Sequence, residues 1–115
     1  MMQKVYRLRR RRSFDVIYRR GKSFSDSNLV LLCLDGKLPL PKVGFVVGKK
    51  VGKAVVRNKV KRRLREIFRA LIPQVAGHTS YVVVARSRSA ELSFDELRQS
   101  LTALLAKAGK LQHRT

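Results

Sequence analysis

The chain has 115 residues and a mass of 13.2 kDa, which is enough for one small domain but not for two independent cores. Its 27 lysines and arginines against 7 acidic residues give a formal net charge of +20 at pH 7, which excludes an ordinary neutral soluble enzyme. Because self-repulsion of this size has to be offset by a polyanion, the composition favours a protein that binds nucleic acid.

The sequence also bears on location and domain organisation. No stretch approaches the roughly 18 consecutive apolar residues of a membrane span, so we expect a cytoplasmic protein with no membrane association. Cys33 is the only cysteine, which excludes an intrachain disulfide, and its apolar neighbours favour a buried position. Without repeats or Ser/Gly linkers, the chain is predicted to form a single domain over residues 1–115, with flexible ends at 1–8 and 110–115.

A short helix is predicted near the N-terminus. Ser13 is a candidate N-cap, Phe14, Ile17 and Tyr18 follow at helical spacing, and Gly21 ends the segment. Phe14 and Tyr18 allow two interpretations. Aromatic residues at i and i+4 most often fill a core, whereas the basic runs on both sides favour a platform on which the bases of a single RNA strand stack.

Strands are predicted in the middle of the chain. Residues 29–34 form a short apolar run closed by a turn, and residues 42–47 show the alternation of a strand. Residues 22–27 can add a partial edge strand before both. The β-branched run at 81–85 is typical of a buried central strand.

Residues 54–71 carry the clearest helical period. At about 100° per residue, five apolar side chains fall within an arc of roughly 80°, and Pro73 marks the end of the helix. The opposite side carries Asn58, Lys61, Arg62, Arg65 and Arg69. A charged helix face is most often simply solvated, but only Glu66 interrupts this one, so its like charges cost stability unless a polyanion binds them. A last helix is predicted from Ser93, which has capping-box spacing to Glu96.

The loop before the basic helix carries Lys49, Lys50 and Lys53 among its glycines. It resembles a phosphate loop only superficially, because three residues instead of four separate the glycines and Ala54 replaces the Ser or Thr that would hold magnesium. Its lysines can instead meet a phosphate at the helix N-terminus, which requires no hydrolysis.

Residues with catalytic or metal-binding chemistry are sparse. The acidic residues are dispersed except for Asp95 and Glu96, which belong to a predicted first helical turn. His78 and His113 are far apart and lack a cysteine or carboxylate at ligand spacing. We therefore expect no catalytic residue and no metal site in this chain.

Residues 49–69, KKVGKAVVRNKVKRRLREIFR, closely resemble the signature of the bacterial ribonuclease P protein subunit, an Arg-Asn-Lys helix after a KK-x-G-x-A-V turn. The likeness extends to the first helix, to the apolar strand at 29–34 and to the YVVVAR run at 81–86. It implies an α/β (α+β) two-layer sandwich, with three helices and a four-stranded mixed sheet in the order αβββαβα. It also implies that the basic helix forms a left-handed crossover between two parallel strands.

The resemblance implies a function as well. In that family the protein joins a large catalytic RNA, which uses Mg²⁺ to remove the 5′ leader from precursor tRNA. The implied partners are ribonuclease P RNA and precursor tRNA, with no obligatory protein partner. The chain would then be an enzyme subunit that carries no catalytic residue of its own.

Carried over by motif position, the resemblance assigns RNA binding to Lys49, Lys50, Lys53, Arg57, Asn58, Lys61, Arg62, Arg65, Arg86 and Arg88. It assigns the cleft for the single-stranded leader to Phe14, Tyr18, Val30 and Leu32. Leu32 stands where some members carry Tyr, so only apolar contact is expected there.

Two other classes of protein share this composition. A ribosomal or other structural RNA-binding protein is equally small and basic, and a DNA-compacting protein would bind duplex DNA with a comparable dependence on salt. Neither class accounts for the Arg-Asn helix together with the aromatic helix.

Overall fold

The computed structural model describes residues 6–37 and 39–112 of the protein. Within these residues three α-helices and four β-strands follow in the order αβββαβα, as the sequence predicts. Their bounds are α1 (Arg11–Arg20), β1 (Lys22–Ser25), β2 (Leu29–Asp35), β3 (Lys42–Val47), α2 (Ala54–Leu71), β4 (Thr79–Ala85) and α3 (Phe94–Lys107). Short 3₁₀ turns lie at Lys49–Val51, Ile72–Gln74 and Ser87–Glu91.

The four strands form one mixed sheet in the order β1-β2-β4-β3. β1 and β2 are antiparallel, as are β2 and β4, whereas β3 runs parallel to β4. Parallel neighbours cannot be joined by a tight turn, and α2 supplies the crossover between them. The predicted central position of β4 is confirmed, and the predicted hand of the crossover stays a prediction from the resemblance.

The main core lies between one face of the sheet and the helices α2 and α3. The alternation of the strands directs Leu31, Phe45 and Tyr81 to this face. The Phe68 ring of α2 meets the Phe45 and Tyr81 rings edge-on, at centroid distances of 6.2 and 5.5 Å. Cys33 is buried in the same core as expected, and burial raises the pKa of its thiol to about 11.

Helix α1 packs on the opposite face of the sheet. Ile17 is buried there with Leu32 and Val82, and the Phe14 ring lies directly over Gly44 of β3. A Cβ atom on Gly44 would come within 2.3 Å of Phe14 Cζ, so the close approach of this ring to β3 depends on the glycine. This second, smaller cluster fixes α1 to the sheet and leaves part of the face uncovered.

The start of α1 differs from the prediction. The helix begins at Arg11 with Arg10 as its N-cap, and Ser13 lies inside the first turn, where its backbone N–H donates to the Arg10 carbonyl at 2.9 Å. The preceding segment pairs with the edge of β3, where the Leu8 N–H donates to the Val43 carbonyl at 2.9 Å. The helix therefore begins three residues earlier than the Ser13 cap predicts.

The described parts of the two chain ends are hydrogen-bonded to the rest of the fold, and the flexibility predicted for 1–8 and 110–115 stays a prediction. Residues 7 and 8 pair with β3. At the other end, the Lys110 carbonyl accepts from Ala76 N–H at 2.8 Å and the Gln112 N–H donates to the Gln74 carbonyl at 2.7 Å. Residues 1–5 and 113–115 lie outside the described part of the chain.

The close contact between Phe14 and Gly44 predicts a large difference between two glycine substitutions. Gly44→Ala should lower the free energy of unfolding by about 1–3 kcal/mol, because the added methyl group displaces the Phe14 ring. Gly48→Ala is the matched control, since a Cβ there has no neighbour within 4 Å. Urea unfolding of both variants measures the difference, and equal stabilities would contradict the packing described.

Candidate nucleic-acid interface

Helix α2 separates its apolar and cationic residues onto two sides. Val60, Leu64, Ile67 and Phe68 are buried in the core. Of the predicted RNA-binding residues on this helix, Asn58 and Arg62 are exposed, whereas Arg57, Lys61 and Arg65 are half-buried. Within residues 6–37 and 39–112, no acidic side chain forms an ion pair with any of these cations. Their positive charge is therefore without local compensation, and the Nε of Arg57 is buried with no hydrogen-bond partner among the described residues.

Two arginines of the same helix have other roles. Arg69 belongs to the cationic side in sequence, but its guanidinium forms an ion pair with Glu66 at 2.9 Å. Arg63 points toward α3 and donates to the Leu92 carbonyl at 3.1 Å. The uncompensated part of the face therefore lies around Asn58, Lys61 and Arg62, together with Arg65.

The lysine loop leads directly into α2. Lys49, Lys50 and Lys53 are all exposed, while Val51 between them is buried and anchors the loop to the core. Gly52 has a φ of 153° and lies against Val56, where an added Cβ would come within 3.1 Å. Lys53 is the N-cap of α2 and makes no side-chain cap, so the first turn of the helix keeps its positive end facing the same surface.

A row of apolar residues crosses the uncovered part of the α1 face. The strand registers pair Val30 with Val84 and Val84 with Val46, and all three side chains are half-buried. Phe14 packs against the same small cluster, and Tyr18 follows one helical turn later with 46% of its surface exposed. We call these five residues the sheet cleft.

The sheet cleft corrects the predicted one in two respects. Leu32 is only 7% exposed because Ile17 of α1 packs over it, so it supports the helix instead of lining the open surface. Val46 and Val84 were missed. Their alternation with the core residues Phe45 and Val83 is the signal that places them on this face.

The predicted cations Arg86 and Arg88 lie beside the sheet cleft, where β4 ends. β3 and β4 are parallel and Val47 pairs with Ala85, so the residues after both strands emerge at the same edge of the sheet. The 3₁₀ turn after β3, which carries Lys49 and Lys50, contacts the turn after β4. The exposed cations therefore lie beside the apolar row, at the edge of the sheet where β3 and β4 end.

A groove joins helix α2 to the aromatic helix. It has a volume of about 500 Å³ and is lined by Arg7, Leu8, Arg9, Phe14, Val43, Gly44, Phe45, Lys61 and Arg65. In this α1–α2 groove, the edge of the Phe14 ring and two cations of α2 share one concave surface. The sequence predicts Phe14, Lys61 and Arg65 as parts of separate sites. The parallel pairing of β3 with the N-terminal segment brings them together.

The turn between β1 and β2 holds Arg86 in place. The Arg86 backbone N–H donates to the Asn28 carbonyl at 2.9 Å, and its Nη1 donates to the Asp26 carbonyl at 3.2 Å. The Asp26 carboxylate accepts from the backbone N–H groups of Asn28 and Leu29, both at 2.8 Å, and from the Ser100 hydroxyl of α3. Through this carboxylate, α3 fixes the turn on which Arg86 rests.

The described residues offer neither a metal-binding cluster nor a membrane-spanning helix. Residues 6–37 and 39–112 contain no group of three or more His, Cys, Asp or Glu side chains that could hold a metal ion. No described helix is long and apolar enough to cross a membrane. His78 lies exposed in the loop before β4 with a φ of 61°.

Comparison with known proteins identifies the family. A family model described as Ribonuclease P matches residues 2–109. The chain belongs to the ribonuclease P protein family. The ribonuclease P protein component of Symbiobacterium thermophilum is 44% identical over 112 residues, which cover 96% of this chain and 97% of that protein. The resemblance found in residues 49–69 is thereby confirmed.

Solved structures of ribonuclease P proteins share the fold. The protein from Staphylococcus aureus has a TM-score of 0.88 at 29% identity, covering 95% of this chain and 100% of that one. The protein from Thermotoga maritima has a TM-score of 0.81 at 36% identity, covering 88% and 96%. As a ribonuclease P protein component, the chain is part of an endoribonuclease holoenzyme, and its family implies a role in processing the 5′ end of tRNA.

The carboxylate of Asp26 predicts a specific pH dependence of stability. Burial raises the pKa of Asp26, but the hydrogen bonds from Ser100, Leu29 and Asn28 outweigh it and hold the pKa below its usual value. A carboxyl group with a lowered pKa in the folded state stabilises the fold above about pH 4, and this contribution is lost as the pH falls through the folded pKa.

We therefore expect Asp26→Asn to lower the melting temperature at neutral pH, and the difference from the wild type to shrink on acidification. Asp15→Asn, which removes an exposed carboxylate of α1, is the control. Melting temperatures measured from pH 7 down to about pH 3 test this. A deficit of Asp26→Asn that stays constant over this range would contradict a stabilising role of the ionised carboxylate.

Proposed function

We propose that this protein binds both the catalytic RNA of ribonuclease P and the 5′ leader of precursor tRNA, and that the RNA carries out the cleavage. The observation that carries the proposal is the α1–α2 groove, in which Phe14 lies beside Lys61 and Arg65. A surface that combines an aromatic edge with uncompensated cations suits a single RNA strand, whose bases pack on apolar groups and whose phosphates need positive charge.

The cationic side of α2 and the lysine loop are proposed to contact the catalytic RNA. Structured RNA presents closely spaced phosphates, and each cation that neutralises one releases a counterion. The absence of an ion partner within the described residues for Arg62 supports this assignment, whereas Lys61 and Arg65 line the α1–α2 groove and are proposed to contact the leader. Exposed Asn58 adds an amide that can both donate to and accept from a base edge or a 2′-hydroxyl.

The sheet cleft is proposed to hold the leader. Its apolar row gives an extended strand a surface of about the width of the sheet, and Tyr18 offers a stacking group at one side. The cations beside it, Arg86 and Arg88 with Lys49 and Lys50, suit the phosphates of a strand that lies along the row.

Magnesium is proposed to act on the RNA. Cleavage of a phosphodiester needs charge neutralisation and an activated water, which RNA-bound Mg²⁺ can supply. The described residues of the protein provide no matching cluster of carboxylates. The contribution of the protein is then to neutralise phosphates and to position the substrate.

The proposal predicts that the protein stimulates leader removal. A bacterial ribonuclease P RNA should cleave precursor tRNA faster at low Mg²⁺ when this protein is added. Lys61→Ala, which alters the α1–α2 groove, should weaken this stimulation by roughly three- to tenfold, because one phosphate contact is lost.

Lys107→Ala removes the same charge from an exposed position of α3, outside the groove, so this control should stay near wild type. Single-turnover cleavage rates of the three proteins test this. No stimulation by the wild-type protein, together with tight binding to ribosomal RNA or duplex DNA, would overturn the proposed function.

Tyr18 offers a test of leader binding that does not disturb the core. Because the side chain is 46% exposed, Tyr18→Ala should leave the melting temperature nearly unchanged while lowering the affinity for precursor tRNA by about fivefold or more, the loss expected for one stacked base. Its effect on mature tRNA, which lacks a leader, should be small.

Phe94→Ala is the matched control, since Phe94 of α3 is also an exposed aromatic residue, with 42% of its surface accessible. Equilibrium binding of the reconstituted holoenzyme to precursor and mature tRNA gives the comparison. Equal losses for both RNAs would contradict the stacking role of Tyr18.

A further inference from the structure

A second groove lies on the other flank of helix α1, away from Phe14 and Tyr18. It has a volume of about 710 Å³ and is larger than the α1–α2 groove. It is lined by Arg7, Leu8, Arg9, Arg10, Arg12, Ser13, Val16, Ile17, Leu34, Lys42 and Ser80. We call it the arginine groove.

The lining of the arginine groove has the chemistry of a strand-binding surface. Its apolar part comes from Val16 and Ile17 of α1 and from Leu34 of β2, and its rim carries four arginines. None of the lining residues is acidic. Planar guanidinium groups can stack on bases as well as bind phosphates, so the surface suits unpaired nucleotides without requiring an aromatic side chain.

The arginines at the start of α1 lie where a helix favours negative charge. Arg10 is the N-cap, Arg11 and Arg12 follow, and the first turn contains no acidic residue and no side-chain cap. Cations at the positive end of a helix dipole destabilise the helix. An anion bound in the groove offsets this cost.

The arginine groove adjoins the α1–α2 groove. Arg7, Leu8 and Arg9 line both, so only this segment of chain separates them. A strand that lies against Phe14 can therefore cross this segment and continue along the arginines.

We propose that the arginine groove binds the distal nucleotides of the 5′ leader, beyond those held at the sheet cleft and the α1–α2 groove. The inference rests on the proposed function, because it requires the leader to approach this face of the protein. The contacts are mainly to phosphates, so the groove adds affinity that depends on leader length and on salt but little on base sequence.

The test compares precursor tRNAs that differ only in leader length, bound to the holoenzyme. Wild-type protein should bind a leader of about ten nucleotides more tightly than one of about two, since a groove of this kind covers several nucleotides. The double variant Arg10→Ala/Arg12→Ala should lose about tenfold in affinity for the long leader and almost nothing for the short one. For the long leader, the slope of the logarithm of affinity against that of salt should fall by roughly 0.7 per lost contact.

Three further variants make the result specific. Arg98→Ala/Lys107→Ala removes two positive charges from α3 and should not change the dependence on leader length. Arg10→Lys/Arg12→Lys keeps the charge and should retain most of the long-leader affinity. Lys61→Ala tests the α1–α2 groove separately. Because alanine also removes unfavourable charge from the start of α1, the melting temperature of Arg10→Ala/Arg12→Ala should be equal to or above that of the wild type.

Two outcomes would overturn the inference and leave the proposed function intact. In one, the alanine double variant behaves like the wild type at every leader length while Lys61→Ala still impairs cleavage. In the other, it loses the same affinity for short-leader, long-leader and mature tRNA, which would assign the arginines to the catalytic RNA. If the wild-type protein does not stimulate leader cleavage at all, the proposed function itself is overturned.

Discussion

The surface of this protein depends on how helix α1 rests on the sheet. Ile17 packs with Leu32 and Val82, and Phe14 lies over Gly44, where a side chain on β3 would leave no room for the ring. This contact holds α1 across part of a sheet face that would otherwise be an open apolar surface. It leaves the Val30, Val84 and Val46 row uncovered on one flank and creates the arginine groove on the other.

On the proposed function, the main core and the leader-binding cleft lie on opposite faces of the sheet. The large core, in which α2 and α3 cover the strands, contains the three-ring contact of Phe45, Phe68 and Tyr81 and most of the buried leucines. Helix α2 packs on the core face and contributes to both, since its apolar side supports this core while its cations point outward. A net charge of +20 opposes folding through self-repulsion, so the compact core has to offset the repulsion among these cations.

The sequence predicts the features that depend on local interactions and misses those that depend on contacts between distant segments. The bounds of α2 and β3 follow from local periodicity, and the capping box at Ser93 is present, with Glu96 N–H donating to Ser93 Oγ at 3.1 Å. The predicted start of α1 was wrong. The pairing of Leu8 with Val43, a contact between distant segments, overrides the local preference for a Ser cap. The burial of Leu32 beneath Ile17 is likewise a tertiary effect. Both grooves unite residues from separate elements, so no local pattern identifies them.

The form of the grooves bears on how such a subunit would serve many substrates. On the proposed function, its contacts to the leader come from aliphatic side chains, one or two aromatic rings and cations, none of which distinguishes bases strongly. A strand held in this way is recognised by being unpaired and negatively charged, which leaders of unrelated sequence have in common. Discrimination would then come from the catalytic RNA and from the shape of the tRNA, while the protein adds affinity at the point where the leader begins. A surface rich in arginine and poor in hydrogen-bonding specificity is therefore suited to a subunit whose substrates share a structure but not a sequence.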